Sequence, residues 1–203
     1  GTVTPVVTPA SGSTFTVGTT VVTATVTDGS GNSANCSFNV VVSDTEAPAL
    51  TCPGNISKSN DAGLCSGTAV YTPTVSDNCS TTPTLVFSHA SGSSFPVGPT
   101  TVTIIATDDV GNSATCQFIV EITDTEKPDI ACQPDPGPLT PDPLNCTYTV
   151  VGTAYDPTTS DNCSVSSVKY AFVSGGGVTP TDGNSLDGAI FEQGSTVIEW
   201  TVK

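Results

Sequence analysis

Carboxylates paired with asparagine are the residues in this chain best placed to do chemistry. Asp44 and Glu46 flank a threonine ahead of a proline, Asp77 and Asn78 precede a cysteine, and Asp108, Asp109 and Asn112 fall in one Asp-Asp-Val-Gly-Asn stretch. Asp124, Glu126 and Asp161 repeat the first two patterns, and Asp28 repeats the position of Asp108. Nine of the nineteen acidic residues fall in these motifs. A calcium ion takes about 6–8 oxygen ligands at roughly 2.3–2.6 Å, and clustered carboxylates and amides supply oxygens of that kind. The same residue types close turns through their own backbone amides, so cation binding and turn chemistry both account for them at this stage. No EF-hand loop is present.

The eight cysteines include no Cys-x-x-Cys pair, and His89 is the only histidine. That pattern predicts disulfides rather than a zinc site, and with them an oxidising, extracellular setting. A redox role needs an exposed pair of low pKa, which nothing in the spacing supplies. A catalytic triad would require His89 in a cleft beside a serine and an aspartate. A surface strand position is expected for it instead, and the chain is expected not to be an enzyme.

The elements that must position these groups are β-strands. The chain has 203 residues, 36% hydrophobic and 11% charged, without methionine or arginine, so long amphipathic helices have little to be built from. Four basic residues stand against nineteen acidic ones, a net charge of −15, which repels phosphate backbones and anionic lipid and excludes nucleic acid as a partner. Apolar residues in alternating runs argue for a folded core rather than disorder. No leader segment and no apolar run of about 18 residues occurs, so no membrane insertion is expected here and export signals are expected outside this segment.

An offset of 80 residues places Asp28, Gly31, Asn32, Cys36 and Asp44 on Asp108, Gly111, Asn112, Cys116 and Asp124, with Phe15 on Phe95 and Cys52 on Cys132. The chain therefore reads as the C-terminal part of a first repeat (1–43), a complete repeat (44–123) and a third repeat (124–203) that stops before its counterpart of Asp108. The third carries about a dozen extra residues before Phe191, including Gly175 to Gly177 and Asp182-Gly183-Asn184, which predict a longer hairpin or loop. Within the complete repeat, strands are expected near 49–58, 65–75, 84–90, 100–107 and 113–122, the last two joined by the Asp108–Asn112 turn. Short strands at this spacing predict an all-β fold of tandem immunoglobulin-like β-sandwiches. Trp200, in the alternating run Val197 to Val202, is expected in the core.

The ordered set TCP, GLC, DNC, FPVG, ATDDVGN and TCQF resembles the hyalin repeat, or HYR domain, over nearly the whole chain, in its four-cysteine bacterial form. The resemblance implies an immunoglobulin-like fold and an interaction role in long cell-surface or secreted proteins, adhesins and extracellular filaments among them. In that topology the first and last strands are parallel neighbours, which lets Cys52 face Cys116. Cys65 is then expected with Cys79, and Cys146 with Cys163, although the segment between each pair must bend to close the bond. The linker, the turn after the second strand and the last hairpin turn converge at one pole. That convergence gathers Asp44, Glu46, Asp77, Asn78, Asp108, Asp109 and Asn112 at one junction, and Asp124, Glu126 and Asp161 at the next.

The expected function is a structural or adhesive segment of an extracellular fibre or cell-surface stalk, stiffened by disulfides and by calcium at the junctions. Its expected partners are neighbouring repeats, other copies of the chain in a fibre, and a glycan or cell-surface ligand. A glycan- or protein-binding module and an accessory domain of a secreted enzyme are the alternatives.

Overall fold

The structure, a computed structural model, describes residues 2–175, 177–178 and 183–203, with the backbone alone at 177–178. Among the described residues every regular element is a β-strand. The chain divides into two compact units, and the division passes through the middle repeat. One unit holds the chain up to Gly54 with Tyr71–Ser91 and Thr101–Ile119; the other holds Asn55–Val70, Gly92–Thr100 and Val120–Lys203.

The first unit opens with a three-stranded antiparallel sheet of Val6–Thr8, Gly18–Thr27 and Ser33–Val42, whose long hairpin turns at Asp28–Asn32. After the linker, Ala49–Thr51 pairs antiparallel with Thr74–Ser76, and Thr84–Phe87 pairs with Ile104–Thr107. Val102, Ile104 and Ala106 alternate along the strand Gly98–Thr107 and are fully buried, as a strand with one face on the core requires. Tyr71 closes this core with its ring edge-on to Phe118, centroids 4.8 Å apart.

In the second unit Ile56–Ser59 runs parallel to Val120–Thr123, and Ser66–Thr68 pairs with Ser94–Pro96. Phe95, Val120 and Ile122 are buried between these pairs, each worth roughly 1.5–3 kcal/mol of burial. Gly67 is glycine because a Cβ there would lie 3.1 Å from Ile122 Cδ1 and 3.2 Å from the Ser59 carbonyl oxygen. The stretch 129–202 carries corresponding pairs: Asp129–Ala131 with Thr158–Ser160, Thr147–Thr149 with Ile190–Glu192, and Val168–Ser174 with Val197–Val202. Val150, Tyr170, Leu186 and Ala189 form its core, with Trp200 and Phe191 packed against it.

The sheet order Ile56–Ser59, Ser113–Thr123, Gly98–Thr107, Thr84–Phe87 is that of an immunoglobulin-like sandwich. The expected first strand is broken: Ala49–Thr51 pairs with Thr74–Ser76, and after Pro53 the chain crosses to lie parallel to the last strand. Proline has no N–H to give a ladder, so it marks the crossing point. The second strand breaks likewise around Pro73. Ser94–Pro96 is an additional strand, and His89 sits half-buried in a bend after Thr84–Phe87 rather than on a strand. Of the long third-repeat insertion, Gly176 and residues 179–182, Asp182 among them, lie outside the described residues.

Candidate functional site

Asp108 builds the last hairpin turn of the middle repeat. Its Oδ1 accepts from the amides of Val110, Gly111 and Asn112 at 3.0, 2.7 and 2.8 Å, and its Oδ2 accepts from Asn112 Nδ2 at 2.7 Å. Burial pushes its carboxyl up, but the hydrogen bonds from the Asn112 side chain and the three amides outweigh this and hold it below its usual value. Asp28 closes the equivalent turn of the first repeat and is also held low, chiefly by Asn32. Turn chemistry thus places three donors on Asp108 Oδ1 and one on Oδ2. A carboxylate offers about four lone-pair sites with broad angular tolerance, and only Oδ2, with a single donor, has capacity left.

The linker and the second-strand turn meet this hairpin. Carboxylate oxygens of Asp44, Asp77 and Asp108 all lie within 4.8 Å of one another. Asp77 Oδ1 accepts from the amides of Cys79 and Ser80 at 2.9 and 2.6 Å, whereas its Oδ2 is buried without a hydrogen-bond partner. A buried, unpaired carboxyl oxygen beside two further carboxyl groups is costly, and a divalent cation would satisfy it. The donor set is all oxygen, which fits calcium rather than zinc. Asp44, Asp77 and Asp108 are the residues that would hold it.

The other residues expected at this junction do other work. Glu46 Oε2 accepts from Asn78 Nδ2 at 2.8 Å, and Asn112 Nδ2 reaches the Asp44 main-chain oxygen at 3.3 Å. Asp109 is exposed and outside the carboxylate cluster, because the turn commits the preceding Asp108 to the inside and sends its neighbour outward. Desolvation, then the charge of Asp44 and a hydrogen bond to it, then the charges of Asp77 and Glu46, hold the Cys79 thiol above its ordinary value. Such a thiol lacks the depressed pKa that a redox catalyst needs.

At the second junction Asp124 and Asp161 approach each other, with the sulfur of Cys163 close by. That sulfur is in a disulfide and offers no thiolate. Asp161 Oδ1 accepts from the amides of Cys163 and Ser164 at 2.8 and 3.1 Å, repeating Asp77. Glu126 turns to the hairpin tip 61–66, where both its carboxylate oxygens accept from the Gly63 amide at 2.8 and 3.1 Å. Asn162 Nδ2 donates to the Leu64 carbonyl at 2.9 Å, and the Thr125 amide donates to Asn60 Oδ1 at 3.1 Å. Asn60, Gly63 and Leu64 were not expected here; the matching spacing of Asp61 to Cys65 and Asp142 to Cys146 was the available signal.

Two disulfides are formed. Cys52 is bonded to Cys116 with Cα atoms 5.8 Å apart. Cys65 is bonded to Cys163, 98 residues away, with Cα atoms 4.6 Å apart. This corrects the pairings of Cys65 with Cys79 and of Cys146 with Cys163. The stretch from Cys65 to Cys79 contains the strands Ser66–Thr68 and Thr74–Ser76 and does not fold back, and an extended chain advances roughly 3.3 Å per residue. Cys79 and Cys146 are exposed and free, as are Cys36 and Cys132.

Immunoglobulin-like repeats joined by acidic linkers define a class of tandem-repeat modules, and the sequence comparisons place the chain within it. The HYR domain family matches residues 1–42 and 43–122, and the chain belongs to that family. It is 43% identical over 120 residues to hyalin of Strongylocentrotus purpuratus and 38% identical over 128 residues to hyalin of Lytechinus variegatus. These matches cover 57% and 60% of this chain but 10% and 24% of the two hyalins. It is 34% identical over 114 residues to a mouse sushi, von Willebrand factor type A, EGF and pentraxin domain-containing protein, covering 53% of this chain and 3% of that one. Among solved structures, the protocadherin gamma B4 extracellular domain aligns at a TM-score of 0.42 and 18% identity, over 91% of this chain and 35% of that one. Cadherin domains 1–4 of protocadherin gamma B7 align at 0.40 and 13%, over 92% and 56%. Among the described residues no helix is long and apolar enough to cross a membrane.

Proposed function

We propose that the chain is a non-enzymatic spacer and adhesive segment of a long extracellular protein, in which each repeat is braced against the next by a linker carboxylate junction, by disulfides and by calcium. The observation that supports it most directly is the contact at the second junction. There the linker residue Glu126 and the next-repeat residue Asn162 both hold the tip 61–66 of the middle repeat. Repeats that touch only their neighbours add length in proportion to their number. Proline after each linker, as Pro48 and Pro128, removes backbone freedom at the joints.

Family membership supports an extracellular, cell-surface setting, and the Cys52–Cys116 bond fits an oxidising compartment. The partners that follow are neighbouring repeats, further copies of the chain, and a ligand on another surface. Small-angle scattering of the intact polypeptide tests the spacer reading. A maximum dimension that rises in proportion to repeat number supports it, and square-root growth, as for a flexible linker, would refute it.

A further inference from the structure

We propose that consecutive repeats are stapled to one another by a disulfide between the hairpin tip of one repeat and the second-strand turn of the next, and that Cys79 and Cys146 are the open halves of two further staples. The proposal rests on the repeat-array reading above. Its partner chemistry is a cysteine thiol of a neighbouring repeat: Cys146 takes the counterpart of Cys163 in the following repeat, and Cys79 takes the counterpart of Cys65 in the preceding one.

The completed staple is Cys65–Cys163, and both of its halves recur elsewhere in the chain. The tip that carries Cys65 is closed by the Asp61 amide on the Ser66 carbonyl at 2.8 Å and the Leu64 amide on the Asp61 carbonyl at 2.9 Å. The tip that carries Cys146 is closed by the Asp142 amide on the Thr147 carbonyl at 2.7 Å and the Asn145 amide on the Asp142 carbonyl at 3.2 Å. Asp61 Oδ2 accepts from both the amide and the hydroxyl of Thr68, and Asp142 Oδ2 accepts from both the amide and the hydroxyl of Thr149. Even the backbone agrees: Gly63 has φ +72° and Leu144, at the matching position, φ +73°. A fully exposed leucine adopts the left-handed region only when the tip imposes it.

The acceptor turn recurs as well. Asp77 Oδ1 takes the amides of Cys79 and Ser80 as Asp161 Oδ1 takes those of Cys163 and Ser164. Asp44 and Asp124 each accept the amide of the glutamate two residues on, at 3.1 Å in both linkers. Cys79 therefore stands in the setting that holds a bonded Cys163, and Cys146 in the setting that holds a bonded Cys65. Both thiols are exposed.

A disulfide-class oxidant such as oxidised glutathione closes each staple. One thiolate of the pair attacks the oxidant's S–S bond and releases one oxidant thiol, and the second thiolate attacks the mixed disulfide and releases the other. Two electrons and two protons pass from the cysteine pair to the two released thiols.

Alkylation before and after reduction, followed by peptide mapping, tests the staple. In the 203-residue chain, isolated without reductant, Cys65 and Cys163 are expected in one linked peptide, with Cys79 and Cys146 alkylated. In the intact polypeptide, isolated likewise, alkylation of Cys79 and Cys146 is expected to be lost until reduction, each being linked to a peptide of an adjacent repeat. Linked peptides joining Cys65 to Cys79 or Cys146 to Cys163 in either sample would overturn the proposal. Alkylation of Cys79 and Cys146 in the unreduced intact polypeptide would overturn it too, while leaving the scattering test of the spacer reading untouched.

Discussion

The side-chain amide of Asn112 donates both to Asp108 Oδ2 at 2.7 Å and to the main-chain oxygen of Asp44 at 3.3 Å. One asparagine thus closes the last hairpin turn and ties it to the linker 68 residues earlier. Asn112→Ala removes both bonds, and a hydrogen bond of this kind contributes about 0.5–1.5 kcal/mol net. The expected loss is about 1–2 kcal/mol in denaturant unfolding, and a midpoint equal to that of the parent would show that the tie is idle.

Leu144 should give the opposite sign. Its φ of +73° is one that glycine adopts without penalty, and its side chain is fully exposed, so no packing is lost on truncation. Leu144→Gly is expected to stabilise the third repeat by a few tenths to about 1 kcal/mol, the relief of left-handed strain being partly offset by the freer unfolded chain. A destabilised variant in thermal unfolding would contradict the strain.

Asp61 sets the acid limit of its tip. Hydrogen bonds from the Thr68 hydroxyl and amide, then from Lys58, together with the Lys58 charge, hold its carboxyl below its ordinary value against the opposing effect of burial. A carboxyl depressed in the folded state binds fewer protons than in the unfolded chain, so its contribution is present above the ordinary value and is lost as pH falls through the depressed one. Amide exchange at Thr68 is expected to accelerate relative to the intrinsic rate as pH drops below about 3.8. In Asp61→Asn that acceleration should vanish, and its persistence would assign the acid limit elsewhere.

Much of this was legible in the sequence, for physical reasons. Alternation in Val102, Ile104 and Ala106 and the Asp-Asp-Val-Gly-Asn turn dictate the hairpin of Gly98–Thr107 and Ser113–Thr123. Asp44, Asp77 and Asp108 follow because the immunoglobulin-like topology brings linker, second turn and last turn to one pole. Ser94–Pro96 was hidden by its composition, a single buried Phe95 among serine, glycine and proline. The Cys65–Cys163 bond was hidden because pairing Cys65 with Cys79 and Cys146 with Cys163 keeps both partners within one repeat, whereas the tip at Gly63 and Leu64 leans on Glu126 and Asn162. Two adjacent aspartates look alike in sequence, whereas the turn directs Asp108 inward and leaves Asp109 exposed and outside the carboxylate cluster.

The junction brace is tested most directly by thermal unfolding of the chain in excess calcium and then in excess chelator, with Asp77→Asn beside it. Asp77 is the informative position because its Oδ2 is buried without a partner next to Asp44 and Asp108. A higher melting temperature is expected in calcium, about 2.7 kcal/mol of added stability at roughly a hundredfold excess over Kd, with most of that gain lost in the variant. Identical melting in calcium and in chelator would contradict the cation brace and leave the disulfides and proline linkers to hold the repeats in line.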